Sequence, residues 1–262
     1  MHIIVCVKQV IDTAARIELK EAEVDDGGLA KVLNPYDEFA VEEAIRIRER
    51  KPGTAITLVS LGPERFRDAL RAGLAMGADN AVHLMDPAFD GVDSLTTSCL
   101  LAKAIAFLGF DLILCGRQAV DDDMAQIGPA LAVYLNIPCV TVLTRLVFSD
   151  DWKMATATRQ IEGGSEIIDL PLPALFTCQK GLNQPRLPSL KGIMTAKKKQ
   201  IQIFNAKKMD FEPRVIGAKS SAVIQTGLEL PPRRDSGVIL NEPISEAVSR
   251  LVKTLRETEK VV

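Results

Sequence analysis

Short β-branched apolar runs alternate with helical stretches through the first half of the chain, and this alternation constrains the fold more than any other feature. The runs are HIIVCVK at residues 2–8, ITLVSLG at 56–62, AVHLM at 81–85, LILCG at 112–116 and CVTVLTRLVF at 139–148. Each is short, rich in Val, Ile and Leu, and reads as a strand buried on both faces. Residues 35–50, 63–76, 94–108 and 124–135 read as helices, with Val41, Ala44, Ile45 and Arg48 on one face of the first. Buried strands alternating with helices predict an α/β fold, a parallel sheet covered on both faces.

The punctuation agrees. Asn34-Pro35 reads as a helix cap with proline at the first helical position, where its missing N–H costs nothing. Gly77 reads as a helix stop. Residues 15–20, ARIELK, suggest a short added strand, and 152–178 a hairpin around Gly163-Gly164 followed by a strand at 174–178. From Asn183 the chain turns proline-rich and basic, and only one further helix is expected, at about 242–259. The expected division is therefore an α/β domain over 1–182, and over 183–262 an arm with too few buried patterns for a core of its own, lying on a partner.

Several functions are disfavoured at once. The 262 residues carry a formal net charge of -2, so there is no broad basic field for nucleic acid. No apolar run approaches the roughly 20 residues of a membrane helix, and MHIIVCVKQVID reads as a first strand, not a signal peptide. The five cysteines lack C-x-x-C spacing and sit mostly in apolar runs, which suits a reducing compartment. With His2 and His83 the only histidines, neither a zinc site nor a Cys-His or Ser-His-Asp nucleophile is expected, and no catalytic residue is assigned. There is no G-x-G-x-x-G and no P-loop motif.

One stretch remains, GRQAVDDDMAQIGP at residues 116–129, where three aspartates stand between a buried strand and a helix. In an open α/β sheet, ligands bind beyond the carboxyl ends of strands, and a helix N-terminus offers free N–H groups to a phosphate. Three readings are open: a nucleotide loop with the amides of Ala125, Gln126 and Ile127 facing a phosphate, aspartates that only cap the helix, or a metal site, which adjacent residues seldom build alone. CVKQVID, with Lys8 and Asp12, and NPYDEF, with Asn34, Pro35, Tyr36 and Asp37, lie on the same edge of the sheet and outline one crevice.

The segments VKQVID, NPYDEFAVEEA, SLGP, GRQAVDDDMAQIGP, ATRQIEGGSEIIDLPLPALFTC and LNQPRLPSLKGIMTAKKK resemble, in order and over nearly the whole length, the beta (small) subunit of electron transfer flavoprotein. Residues 157–177 follow that family's signature, with Phe176 where an aliphatic residue is usual. The resemblance implies an adenine-nucleotide alpha-hydrolase-like (Rossmann-like) domain whose C-terminal arm embraces an alpha subunit holding most of an FAD. It implies an electron carrier, not an enzyme with its own substrate. Such carriers take electrons from acyl-CoA or related dehydrogenases, as in fatty acid β-oxidation, and pass them to a membrane-bound quinone oxidoreductase or another acceptor. The compartment expected is a bacterial or archaeal cytoplasm in preference to a mitochondrial matrix.

The resemblance also implies a buried AMP, at Cys6, Asn34, Pro35, Tyr36, Asp37, Leu61 and the loop Gly116, Arg117, Gln118, Ala119, Val120, Asp121, Asp122, Asp123, Met124, Ala125, Gln126 and Ile127. Leu190 stands at the family's anchor leucine for docking dehydrogenases, flanked by Arg186 and Lys191. Bifurcating members bind a second FAD in place of AMP and oxidise NADH. Asp122 and Met124 leave less room than those members do and favour AMP, whereas AQIGP and Thr13 look more like the bifurcating branch. Gln160 replaces an acidic residue that pairs with the alpha subunit in familiar members. Two other classes predict different chains. A free-standing nucleotide sensor would end near residue 180, and an adenylating or ATP-hydrolysing enzyme would carry a pyrophosphate loop.

Overall fold

The computed structural model describes residues 1–21, 23–211, 216–232 and 237–261. The chain opens with β1 (His2–Cys6), followed by two small antiparallel ladders, β2 (Gln9–Ile11) with β5 (Lys31–Leu33) and β3 (Leu19–Lys20) with β4 (Glu23–Val24). Then come α1 (Pro35–Arg50), β6 (Ala55–Leu61), α2 (Arg67–Met76), β7 (Asn80–Leu84), α3 (Ser94–Leu108), β8 (Leu112–Gly116), α4 (Ile127–Leu135) and β9 (Cys139–Phe148). The hairpin β10 (Met154–Ile161) and β11 (Gly164–Pro171), then β12 (Ala174–Cys178), α5 (Leu190–Lys198), β13 (Ile201–Phe204) and α6 (Ile244–Lys253) follow.

Nine of these strands form one sheet, in the order β11-β10-β9-β12-β8-β1-β6-β7-β13. All neighbours from β9 to β13 run parallel, and only the β10–β11 hairpin adds antiparallel strands, at one edge. The β1 run IIVC is buried throughout because it is the middle of the stack, with Val5 beside Leu58 on one flank and Leu114 on the other. Helices α1, α2 and α5 cover one face, where Val41, Ile45, Leu70 and Ala196 meet Ile3, Val5 and Leu58. Helices α3 and α4 cover the other, where Leu100, Ile105 and Leu131 meet Ile4, Val59 and Ile113. The α/β, parallel-sheet expectation is met. The segment at 15–20 contributes only the two-residue β3 and does not join the main sheet.

The sheet continues past residue 182. Helix α5 packs on α2, and β13 pairs with β7 in register from Ile201↔Ala81 to Phe204↔Leu84. Met209 and Phe211 are buried under α3 with Phe89. Beyond them, the described residues of the arm leave Ile224, Val238, Ile239 and Ile244 more than three-quarters exposed. In α6, Ile244, Val248, Leu251 and Val252 are all exposed, at the spacing of a single apolar helix stripe.

Candidate functional site

After β1 the chain moves through β6 and β7 on one flank, and β8 then returns to the other flank of β1. That reversal leaves a crevice beyond the carboxyl ends of β1 and β8, the position where open α/β sheets bind ligands. Asp37, in the first turn of α1, closes its base. The Lys8 N–H donates to Oδ2 at 2.8 Å and the Gly116 N–H to Oδ1 at 3.1 Å. One buried carboxylate thus joins the ends of two strands to a helix N-terminus, where the helix dipole favours negative charge. Close approach requires glycine at 116, because a Cβ there would overlap Oδ1 of Asp37 and lie 2.8 Å from the Asp37 backbone N.

Burial pushes the Asp37 carboxyl from its ordinary 3.8 up to about 7, against hydrogen bonds from Lys8, Asn34 and Gly116 that favour its charged form. A folded-state pKa above the unfolded one means that the native protein holds the extra proton between these two values. The stability from this group is therefore fully present below pH 3.8 and is lost as pH rises through about 7. Its slope is at most about 1.4 kcal/mol per pH unit. Asp37→Asn removes that slope. The gap in urea midpoint between parent and variant is expected to be widest near the acid end of this window and to narrow toward neutrality. A gap independent of pH would contradict the assignment.

The aspartate loop departs from the expected geometry. Helix α4 begins at Ile127, three residues later than the pattern suggested, and has no acidic residue in its first turn and no side-chain cap. Asp123 and Ala125 take φ of 51° and 54°, left-handed conformations that keep this stretch out of the helix. The capping reading of the aspartates is therefore corrected: they fasten the loop. The Lys8 ammonium donates to Asp121 at 2.7 Å and to Asp122 at 3.2 Å. Burial pulls the Lys8 pKa down, but these two carboxylates outweigh it and hold it above the ordinary value. Asp122 Oδ1 also accepts the Met124 N–H, and Asp123 accepts from the Gln118 amide. The Asn34 side chain does not cap α1 either. It donates to the Gln118 carbonyl at 2.8 Å and accepts the Val120 N–H at 3.2 Å, stitching the loop to the helix start.

The crevice encloses a cavity of roughly 330 Å³. Of the residues expected from sequence, Cys6, Asn34, Asp37, Leu61, Gly116, Arg117, Gln118, Ala119, Asp122, Met124, Ala125, Gln126 and Ile127 line it. Pro35, Tyr36, Val120, Asp121 and Asp123 do not. Cys6, Cys115 and Val59 form its apolar floor. Glycine at 128 lets the α4 terminus come close to the sheet, since a Cβ there would overlap the Thr177 side chain. Sequence reasoning missed the opposite wall, residues 89–94 and Thr97, which carries no motif. There, Asp93 caps α3 through the Thr96 N–H at 2.8 Å and accepts the N–H groups of Ala222 and Val223 in the arm. Burial opposes its charge, yet these donors hold its pKa below the ordinary value. The site thus offers an apolar slot for a planar base, a helix N-terminus with free N–H groups for one anionic group, and fixed carboxylates at the rim.

The other expected residues lie elsewhere. Leu190 opens α5 after its Ser189 cap and is 77% exposed, with Lys191 exposed beside it. Arg186 is tied by ion pairs to Glu42 and Glu49 on α1. Thr13 and Gln160 are exposed. Among the described residues no three His, Cys, Asp or Glu side chains gather as a metal site, and no helix is long and apolar enough to cross a membrane.

Comparison with known proteins adds a family to this geometry. The family model described as the electron transfer flavoprotein domain matches residues 22–209. Electron transfer flavoprotein subunit beta of Thermoanaerobacterium thermosaccharolyticum is 41% identical over 97% of this chain and 98% of its own length. The protein of the same description from Bacillus subtilis is 38% identical over the full length of both. The caffeyl-CoA reductase-Etf complex subunit CarD of Acetobacterium woodii is 39% identical over 98% of each. The family model covers most of the chain and the similarity to these proteins runs end to end, so this chain belongs to the electron transfer flavoprotein family, among its beta subunits.

Proposed function

We propose that the crevice holds AMP, and that the chain works in a heterodimer whose alpha subunit carries most of the FAD. The cavity of roughly 330 Å³ carries this reading. It falls within the range of about 300–1,000 Å³ for ligand pockets, with room for a mononucleotide. Asp122, fixed on its wall by Lys8 and the Met124 N–H, adds a negative charge that opposes a second phosphate. In this reading the floor of Cys6, Cys115 and Val59, together with Leu61, takes the adenine, and the N–H groups of residues 125–127 take the phosphate. Bound FAD supplies the electron-carrying chemistry. This chain's own residues shape and pin the nucleotide loop, and among the described residues no group is placed for turnover of a substrate. The second reading, a beta subunit with FAD in place of AMP that takes part in NADH-dependent bifurcation, is favoured by AQIGP and Thr13.

The exposed apolar stripe of α6 and the exposed Val238 and Ile239 suit burial against the alpha subunit. Leu187 and Leu190, at 92% and 77% exposure, suit docking into an acyl-CoA or related dehydrogenase. Delivery to a quinone oxidoreductase and a bacterial or archaeal cytoplasm complete the reading. In the co-expressed heterodimer, Leu190→Ala is expected to slow reduction by a dehydrogenase about tenfold at limiting flavoprotein, with nucleotide content unchanged. Unchanged rates would remove Leu190 from docking. Turnover of ATP or another nucleotide by the purified heterodimer would sink the carrier reading.

A further inference from the structure

Residues 183–189 form no helix or strand, yet they are fastened to α1 by charge-assisted bonds. Arg186 Nε donates to Glu42 Oε2 at 2.8 Å and Nη2 to Oε1 at 3.0 Å, a two-pronged pair, while the Arg186 backbone N–H reaches the same Oε2 at 3.2 Å. Nη1 donates to Glu49 at 2.8 Å. Three residues earlier, the Asn183 amide donates to Glu43 at 3.1 Å and to the Phe39 carbonyl at 3.0 Å. The Glu42 and Glu43 side chains are each 5% exposed. A carboxylate kept so far from water needs a dedicated partner, and the fork of an arginine matches it in both distance and plane.

Immediately after this bolt the character reverses. Leu187 and Leu190 stand out from the surface, and Met194, one helical turn further, is 58% exposed. Then the chain is fastened again. Gly192 lies so close to the Ala75 carbonyl that a Cβ would overlap it, Lys199 Nζ donates to the Ala78 carbonyl at 2.6 Å, and Arg71 donates to the carbonyls of Ala196 and Lys199. The exposed leucines are thus carried on a short span held at both ends, by α1 before them and α2 after them.

We propose that Arg186 is a positioning residue for partner docking: with Glu42 and Glu49 it holds Leu187 and Leu190 in place and does not itself contact the partner. This rests on the docking reading given above and replaces the expectation that Arg186 flanks Leu190 as a contact. Its guanidinium is already committed on two sides. A loose span would have to be ordered at each encounter, which weakens binding. The clamp does this ordering in advance and leaves the electron-transfer step untouched.

The test uses the heterodimer, with an acyl-CoA dehydrogenase reduced by butyryl-CoA as the probe. Glu42→Gln together with Arg186→Gln removes both charges, so no buried ion is left unpaired. This variant is expected to raise the KM for the flavoprotein five- to tenfold, with kcat within twofold and nucleotide content unchanged. Arg186→Lys keeps the charge but not the fork and falls between parent and variant, and Glu49→Gln, on the exposed side, gives about a twofold rise. Leu187→Ala with Leu190→Ala raises KM at least as far, and adding the clamp substitutions to it changes KM little, because the clamp acts through the leucines. If the leucine variant raises KM and the clamp variants do not, or if the two effects multiply, the positioning role is overturned and docking stands. If the leucine variant has no effect, the docking reading falls and the positioning role with it.

Discussion

Asp37→Ala is expected to empty the nucleotide crevice and to destabilise the fold by about 2–6 kcal/mol near pH 5, where the group still contributes. The estimate follows from its two bonds. Removing the carboxylate leaves the N–H groups of Lys8 and Gly116 unpaired, and each such group costs about 1–3 kcal/mol away from water. The bonds also fix the ends of β1 and β8 relative to α1, so their loss opens the base of the crevice. Urea unfolding and nucleotide release measure the two effects. A variant that keeps its nucleotide and loses less than about 0.5 kcal/mol would show that Asp37 is an ordinary first-turn residue.

Gly116→Ala strikes the same place from the other side. The added methyl overlaps Asp37 Oδ1 and lies 2.8 Å from both the Asp37 backbone N and the Tyr36 carbonyl carbon. Backbone cannot swing away as the end of a long side chain can, so α1 or β8 must shift. Forcing one methyl into a packed site costs about 1–3 kcal/mol, and here the shift also pulls Asn34 from the loop it holds through Gln118 and Val120. Loss of bound nucleotide and a lower melting temperature are the expected results. Gly164→Ala is the control, because open space surrounds the same methyl there. Equal behaviour of the two variants would remove the close-approach argument.

Much of this architecture was legible in the sequence, and the reasons are local. Helices 35–50 and 94–108 and strands 112–116, 139–148 and 174–178 lie where the pattern put them. Pro35 and Gly109 stand at helix ends, and Gly116 closes its strand run. The crevice was legible too, since strand ends and helix starts follow from the alternation alone. The misses are tertiary or conformational. Nothing in a string of L-residues signals that Asp123 and Ala125 turn left-handed, so the apolar pattern alone starts α4 three residues too early. Helix α5 has nine residues with a glycine inside, and β13 has four; the pairing with β7, not their own composition, gives β13 its place. Asp37 looked like one more acid at a helix start, and its role as a link between two strands exists only after β8 has crossed to the far side of β1. The wall at 89–94 became part of the site only through that folding.

The central claim is that this crevice holds a mononucleotide. Acid release and chromatography of the nucleotides in the purified heterodimer test it most directly. One AMP and one FAD per heterodimer is the predicted result, and Asp37→Ala should lose the AMP while keeping the FAD. Two FAD and no AMP would contradict it, show that Asp122 and Met124 do not bar a dinucleotide, and make bifurcation the leading mechanism.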